Sequence, residues 1–418
     1  MTDILNWRER ELSLDEVAAK YPDVPKLVIL KIDLTRRGVI YSQRAFEAVD
    51  PDLHYIQSEN ININENYAAP EGFLLRDGTS VCRTHMKTYK FHREPYVIDY
   101  IDNKFYVTDE GRIIEEIFPW EKPDFYDKVT SNGTPMNKVA RVRSQRFEVH
   151  PNLVCHYWNN PKDGCKYCGL FAVHRKDAGI GYPDSFYQDI EETAVEAFKQ
   201  KGRYANVHMT AGSVLSGKEI FDDELEIYIK SIQAVGKAFK EPWIPMQIVA
   251  SAFNERQLKR LKNETGITTF DTDMEVLDEE LYKWICPGKE RTVGYREWKR
   301  RLFTAVDIFG RGNVNTGVVV GVELARPNGY KTEDEAYEKL MKQAEDITSH
   351  DVALTLNIWT PVKGSVFFKQ NNPSLEYYVR VAKGFAELHK KYKLTIIPDD
   401  YRRCGNHANM DLDRLLQI

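Results

Sequence analysis

Cys155, Cys165 and Cys168 stand in the spacing C-x9-C-x2-C, and they are half of the chain's six cysteines. Two residues between Cys165 and Cys168 let both sulfurs serve one metal centre from a tight loop. Pro161 and Gly164 bend the longer arm, so Cys155 can return as a third ligand. Three thiolates with no fourth cysteine close by describe a metal site with one open position. A structural zinc site needs a fourth ligand, which His156 or His174 can supply, but zinc knuckles pair two short arms. A ferredoxin-type electron carrier needs four cysteines. An iron–sulfur cluster with an open iron fits the pattern best.

Other groups bear on the same question. Asp273 and Glu275 sit at alternate positions, which on a strand face the same way and can grip a ribose diol. The same pair is equally well placed to cap a helix over Asp278–Trp284. Gly212-Ser-Val-Leu-Ser-Gly-Lys218 resembles a phosphate loop, but Glu219 stands where that motif needs Ser or Thr to hold magnesium. Cys82, His85 and His92 match no metal spacing. Cys286 reads as a small buried hydrophobe. Cys404 and His407 lie where a returning tail can reach a substrate or an auxiliary metal, though packing is the plainer role.

These groups need elements to hold them. The chain has 418 residues, 42% of them hydrophobic, enough for one large domain with or without a smaller one. Its net charge of −5 is spread through the sequence, which points to neither a nucleic-acid nor a membrane surface. Short basic clusters such as Lys299-Arg300-Arg301 read as solvated helix faces. No apolar run approaches a membrane span, and the first ten residues lack the core of a signal peptide. Few and clustered cysteines suit a reducing compartment, so a cytoplasmic protein is expected.

Residues 1–145 read as an α+β accessory region. Ser13-x-x-Glu16 is a capping box, a second helix covers Ser42–Ala48, and hairpins turn at Asp102-Asn103 and Asp109-Glu110-Gly111. Glu121–Asn137 reads as a linker or an ordered arm. Residues 146–398 alternate. Strands are expected over Phe147–Val154, Asn206–Thr210, Met246–Ala250, Thr268–Thr272, Val314–Val320 and Ala353–Trp359, with Leu394–Ile397 closing the series. Helices are expected over Ser185–Lys201, Asp222–Phe239, Asn254–Lys262, Glu333–Ile347 and Ser374–Lys390, with a split helical region before Phe309. Six β/α units of this kind predict a partial (β/α)6 TIM-like barrel with ligands at the strands' C-terminal ends. Residues 399–418 form a tail.

The cysteine triad just after a first strand, with this alternation, resembles the radical S-adenosylmethionine (radical SAM) superfamily. The usual spacing there is C-x3-C-x2-C. The longer first gap is similar to that in the catalytic subunit of Elongator, while the later strands look more like the biotin synthase branch. The resemblance covers about Phe147–Ile397. It implies that Cys155, Cys165 and Cys168 bind a [4Fe–4S] cluster whose fourth iron is chelated by SAM. It places Tyr167 near the adenine, and Gly212 and Ser213 of Thr210-Ala-Gly-Ser213 at the SAM amino group. Asp273 and Glu275 fall at the ribose and substrate, and Arg291 at the SAM carboxylate. Val319, in Gly317-Val-Val-Val-Gly-Val-Glu323, and Thr360, in Asn357-Ile-Trp-Thr-Pro-Val-Lys-Gly-Ser365, fall beside the adenine. The implied activity is reductive cleavage of SAM to a 5′-deoxyadenosyl radical that attacks a small biosynthetic intermediate. A flavodoxin or ferredoxin is the implied reductant, in anaerobic metabolism. A tRNA- or peptide-modifying radical enzyme and a non-catalytic zinc-stabilised barrel are the alternatives.

Overall fold

Ser13 and Glu16 close a reciprocal capping box, each side chain bonding the other's backbone N–H, and so start α1 (Leu14–Lys20). The structure, a computed structural model, describes residues 11–56, 69–82, 94–170, 180–240, 246–394 and 405–416. The first region continues through α2 (Lys26–Arg37), β1 (Val39–Tyr41), α3 (Gln43–Glu47), β2 (Gly72–Leu75), β3 (Ser80–Cys82), β4 (Tyr96–Ile101), β5 (Lys104–Asp109) and β6 (Arg112–Pro119). The strands form one sheet in the order β1-β4-β5-β6-β2-β3, parallel only between β1 and β4. Both expected hairpin turns are present, with Asp102, Asn103 and Glu110 at positive φ.

Helix α2 was not expected from the sequence. It buries Lys31, Asp33, Arg36 and Arg37 along with its apolar residues, so no polar stripe marks its period. The charges are paired: Asp33 accepts from Arg36 at 2.8 Å and from the Tyr96 hydroxyl at 2.7 Å. The segment read as a linker or arm is ordered. It holds a short 3-10 turn (Asp124–Asp127) and α4 (Met136–Val139), and its Thr130 and Thr134 donate to Asp189 of the first outer helix.

The second sheet takes β7 (Arg141–Arg143), β8 (Arg146–Val149), β9 (Asn206–Thr210), β10 (Met246–Val249), β11 (Phe270–Asp271), β12 (Val314–Val320) and β13 (Ala353–Ile358) in sequence order. From β8 to β13 every pairing is parallel, and β7 joins β8 antiparallel. Between them run α5 (Asp184–Ala197), α6 (Asp222–Gly236), α7 (Glu255–Thr265), α8 (Glu279–Ile285), α9 (Pro287–Thr292), α10 (Tyr295–Phe309) and α11 (Glu333–Thr348), followed by α12 (Leu375–Tyr392). This is a partial (β/α)6 barrel. Its first strand is shorter than expected, because Pro151 and Asn152 turn the chain toward the cysteines. Of the expected closing strand Leu394–Ile397, all but Leu394 lies outside the described residues.

The barrel's two faces differ in chemistry. Outward-facing Phe147 packs on Phe125, Phe198 and Tyr204 with ring centroids 5.5–6.0 Å apart. Inward, Arg146 donates to Gln247, and Gln247 and Asn315 both donate to Asp271. The His208 Nδ1 is 3.1 Å from the Glu148 carboxylate in the same interior.

The tail folds as α13 (Ala408–Leu416) and meets the free edge of β13. Leu354 N–H donates to His389 Nε2, Leu356 N–H donates to Asn409 Oδ1, and Asn409 Nδ2 donates to Leu354 O. Side chains thus stand where a seventh strand would pair. Lys31 of α2 is fully buried and pairs with Asp411 of α13 at 2.6 Å, tying the two ends of the chain together. Lys31→Met leaves the Asp411 carboxylate buried without that cation and should cost about 3–5 kcal/mol, read from urea unfolding. A loss below about 1 kcal/mol would show that the pair is not a structural tie.

Candidate active site

Cys155 leads into a single 3-10 turn, His156–Asn159, and two walls fix that turn at the C-terminal end of β8. One wall is the exit of β9. His156 N–H donates to Ser213 O at 2.8 Å, and Leu215 N–H donates to His156 Nδ1 at 3.1 Å. Gly212 lies against the cysteine itself: a Cβ there would sit 2.5 Å from Cys155 Cβ and 2.3 Å from Val154 O, so only glycine fits. The second wall is the segment Ile285–Thr292. Lys166 N–H donates to Ile285 O, Gly288 N–H donates to Asp163 O, and the Tyr157 and Thr292 hydroxyls are 2.9 Å apart.

The three thiols share one electrostatic neighbourhood. Burial pushes Cys155 up to about 11 and Cys168 up to about 12, and in both cases Cys165 adds to the rise. Cys165 moves the other way: its hydrogen bond with the Cys286 thiol holds it below the usual range against burial, helped by Lys289 and Tyr167. Cys286, read from the sequence as packing, is therefore a fourth sulfur in contact with the site. Among the described residues, no group of three or more His, Cys, Asp or Glu side chains is arranged to hold a single metal ion. Thiol donors gathered around one field, two buried and Cys168 half-buried, are nevertheless the donor set an iron–sulfur cluster takes. The residues present fit that group.

The β11–β12 side supplies the carboxylates. Asp273 Oδ1 accepts the Gly317 N–H at 2.7 Å, and a Cβ on Gly317 would fall 2.4 Å from that oxygen. Glu275 continues the pairing beyond β11, bonding through its backbone to Gly317 O and Val319 N–H at φ 64°. Its side chain is gripped by Lys289, Nζ to Oε1 2.7 Å. Lys289 also donates to Asp273 O at 3.2 Å and lies 4.6 Å from the Trp298 ring centroid. The Tyr167 hydroxyl reaches Glu275 and Cys165. Lys289 escaped the sequence reading. A lone Lys in a charged helical stretch carries no signal, and only its burial distinguishes it.

Ser213 and Ser251 hydroxyls stand 2.9 Å apart, joining the exits of β9 and β10. Glu224 anchors them, accepting from Val214 N–H, Ser251 N–H and the Ser251 hydroxyl at 2.8–2.9 Å. Burial lifts its carboxyl to about 7. Val319 is buried on β12 and Thr360 is half-buried just past β13, both at the same end of the sheet. Arg291 is exposed and pairs with Asp163 of the cysteine loop. Cys404, His85, His92 and His174 lie outside the described residues. His407 is half-buried with Nδ1 3.1 Å from Leu356 O, which makes it a support for the β13 edge.

No family model matches the chain. It is 22% identical to the bacteriochlorophyllide c C-7(1)-hydroxylase of Chlorobaculum limnaeum over 363 residues, 82% of this chain and 85% of that protein. It is 27% identical to an uncharacterized protein of Methanocaldococcus jannaschii over 180 residues, 42% of this chain and 40% of that one. Among solved structures, a radical SAM methyltransferase from Sphaerobacter thermophilus aligns with TM-score 0.42 at 13% identity, covering 95% of this chain and 97% of that one. The hydrogenase maturase HydG from Carboxydothermus hydrogenoformans aligns with TM-score 0.42 at 14% identity. That match covers 59% of this chain and about half of HydG, 52%.

The barrel interior sets an acid limit. Burial pushes His150 down to about 4 and His407 down to about 3, below the ordinary value near 6.5 that they regain on unfolding. Between those values the unfolded chain binds more protons, so this stability is present above about pH 6.5 and is lost as pH falls toward 4. Thermal melts of His150→Gln should therefore lose less stability than wild type between pH 6.5 and 4. Parallel curves for the two proteins would refute the assignment.

Proposed function

We propose that the chain is a radical SAM enzyme in which Cys155, Cys165 and Cys168 hold a [4Fe–4S] cluster and the substrate is a small biosynthetic intermediate. The observation that carries this is the cysteine loop itself: three thiols in one field at the barrel mouth, Cys155 and Cys165 buried and Cys168 half-buried, fixed against Gly212 on one side and Gly288 on the other. Cluster and SAM together supply one-electron reductive cleavage to a 5′-deoxyadenosyl radical, and the protein supplies binding and orientation.

The chain's own groups divide that work. Gly212 lets a ligand approach the β9 exit, and Ser213, held through Ser251 and Glu224, offers its hydroxyl beside the amino group of SAM. Asp273 keeps one carboxylate oxygen on Gly317 N–H and presents the other to a ribose hydroxyl. Glu275 reaches the substrate side, with Tyr167 packed between it and the cysteines. Val319 and Thr360 border the adenine. Arg291 can take the SAM carboxylate only by leaving Asp163. Residues 1–145 act as an accessory region to the barrel of residues 146–398, and residues 399–418 brace its open side. The polar interior beneath the mouth suits an intermediate with several hydrogen-bonding groups. The likeness to a protein named for hydroxylating bacteriochlorophyllide c supports a small organic substrate attacked at carbon. A flavodoxin or ferredoxin serves as reductant in an anaerobic cytoplasm.

Anaerobic reconstitution tests this directly. Wild type should take up iron and sulfide, give a reduced-cluster EPR signal and release 5′-deoxyadenosine from SAM with dithionite. Cys155→Ala, Cys165→Ala and Cys168→Ala should each abolish the signal and the cleavage. Zinc bound without iron or sulfide would sink the proposal, and cleavage retained by Cys155→Ala would show that the long arm supplies no ligand.

A further inference from the structure

We propose that Lys289 is the resident cation of the cysteine site and sets the reduction potential of the cluster held there, with Glu275 as the counter-charge that fixes it. The proposal rests on the cluster reading above and adds a residue that reading does not use.

The geometry comes from the segment on which Lys289 sits. Ile285–Thr292 is bonded to the cysteine loop at Lys166 and at Asp163, and Cys286 touches Cys165. Lys289 points inward from that wall and is 8% exposed. Its ammonium meets the Glu275 carboxylate at 2.7 Å, the Asp273 carbonyl at 3.2 Å and the face of Trp298. Its charge acts on Cys155 and Cys165 together. A buried ammonium is costly and persists only where negative charge repays it. One carboxylate is present, and three thiolates with their cluster would add more. Reduction adds one electron to that centre, and in a water-poor site a fixed cation favours the reduced form. The charge of Lys289 therefore raises the potential, and the charge of Glu275 offsets part of that effect.

Potentiometric EPR titration of the reconstituted protein, anaerobically and without SAM, reads this. Lys289→Met should move the midpoint to more negative potential, Lys289→Arg should stay close to wild type, and Glu275→Gln should move it to more positive potential. A neutral structural role for Lys289 predicts no opposed shifts. A Lys289→Met midpoint equal to wild type overturns the proposal, whichever way Glu275→Gln moves. If Lys289→Met does not fold by circular dichroism, Glu275→Gln decides: an upward shift supports the proposal, and an unmoved or lowered midpoint overturns it. A wild-type protein that binds no iron or sulfide is a separate result, seen in metal analysis before any titration. It overturns the cluster reading and this assignment with it.

Discussion

The polar inner face of the parallel sheet is the constraint on which the architecture depends. Strands buried on both faces usually carry apolar residues on both. Here the outer face is apolar, while Glu148, His208, Gln247, Asp271 and Asn315 turn inward and are nearly inaccessible to solvent. Each buried polar group without a partner would cost on the order of 1–3 kcal/mol, and an unpaired carboxylate more. Glu148 shows how the fold responds. Arg141 on β7 bonds it at 2.6 Å, Arg143 approaches to 3.8 Å, and the β7–β8 register sets Arg141 opposite Glu148. The antiparallel strand β7 is short and at the sheet edge, and its chemical contribution is to bring two guanidinium groups to that carboxylate. They hold Glu148 well below the ordinary range against the pull of burial.

A sheet of six parallel strands in sequence order leaves an open edge, which usually invites strand addition. In this protein the edge of β13 is met by imidazole and amide groups. His389 from α12 and Asn409 from α13 take the alternate N–H and C=O groups that a neighbouring strand would take. His389 in turn donates through Nδ1 to Asp413 at 2.6 Å, which fixes its tautomer as an acceptor toward Leu354. Helices α2 and α13 both meet the barrel's open side, with the Lys31–Asp411 pair between them.

Much of this was legible in the sequence where local periodicity decides structure. The boundaries expected for β9 and β12 match the structure to the residue, and the helices α6, α11 and α12 lie within a few residues of expectation. These elements bury one apolar stripe or run, so their pattern survives in the sequence. Helix α2 and the Asn409 edge cap were not legible, because their polar groups are satisfied by partners distant in the chain: Asp411 for Lys31, Tyr96 for Asp33, and the β13 backbone for Asn409. The cysteines were legible as a triad, whereas Cys286 and Lys289 were not. Nothing local separates a thiol or an ammonium facing the cysteine loop from one facing solvent or core.

The nine-residue gap shows the same limit inside a motif that was read. The sequence reading took Pro161 and Gly164 as the bends that let Cys155 return. Instead the arm is folded. A 3-10 turn over His156–Asn159 is followed by a turn in which Asp163 N–H donates to Asn160 O and Asn160 Nδ2 donates to Asp163 Oδ2. Gly164 is required by packing: a Cβ there would stand 2.4 Å from the Trp158 ring, which is buried beneath it. Trp158 fills the loop from within, beside Cys155 and Tyr157, and Gly288 packs on it from outside. The added length therefore gives the cysteine loop a small core of its own.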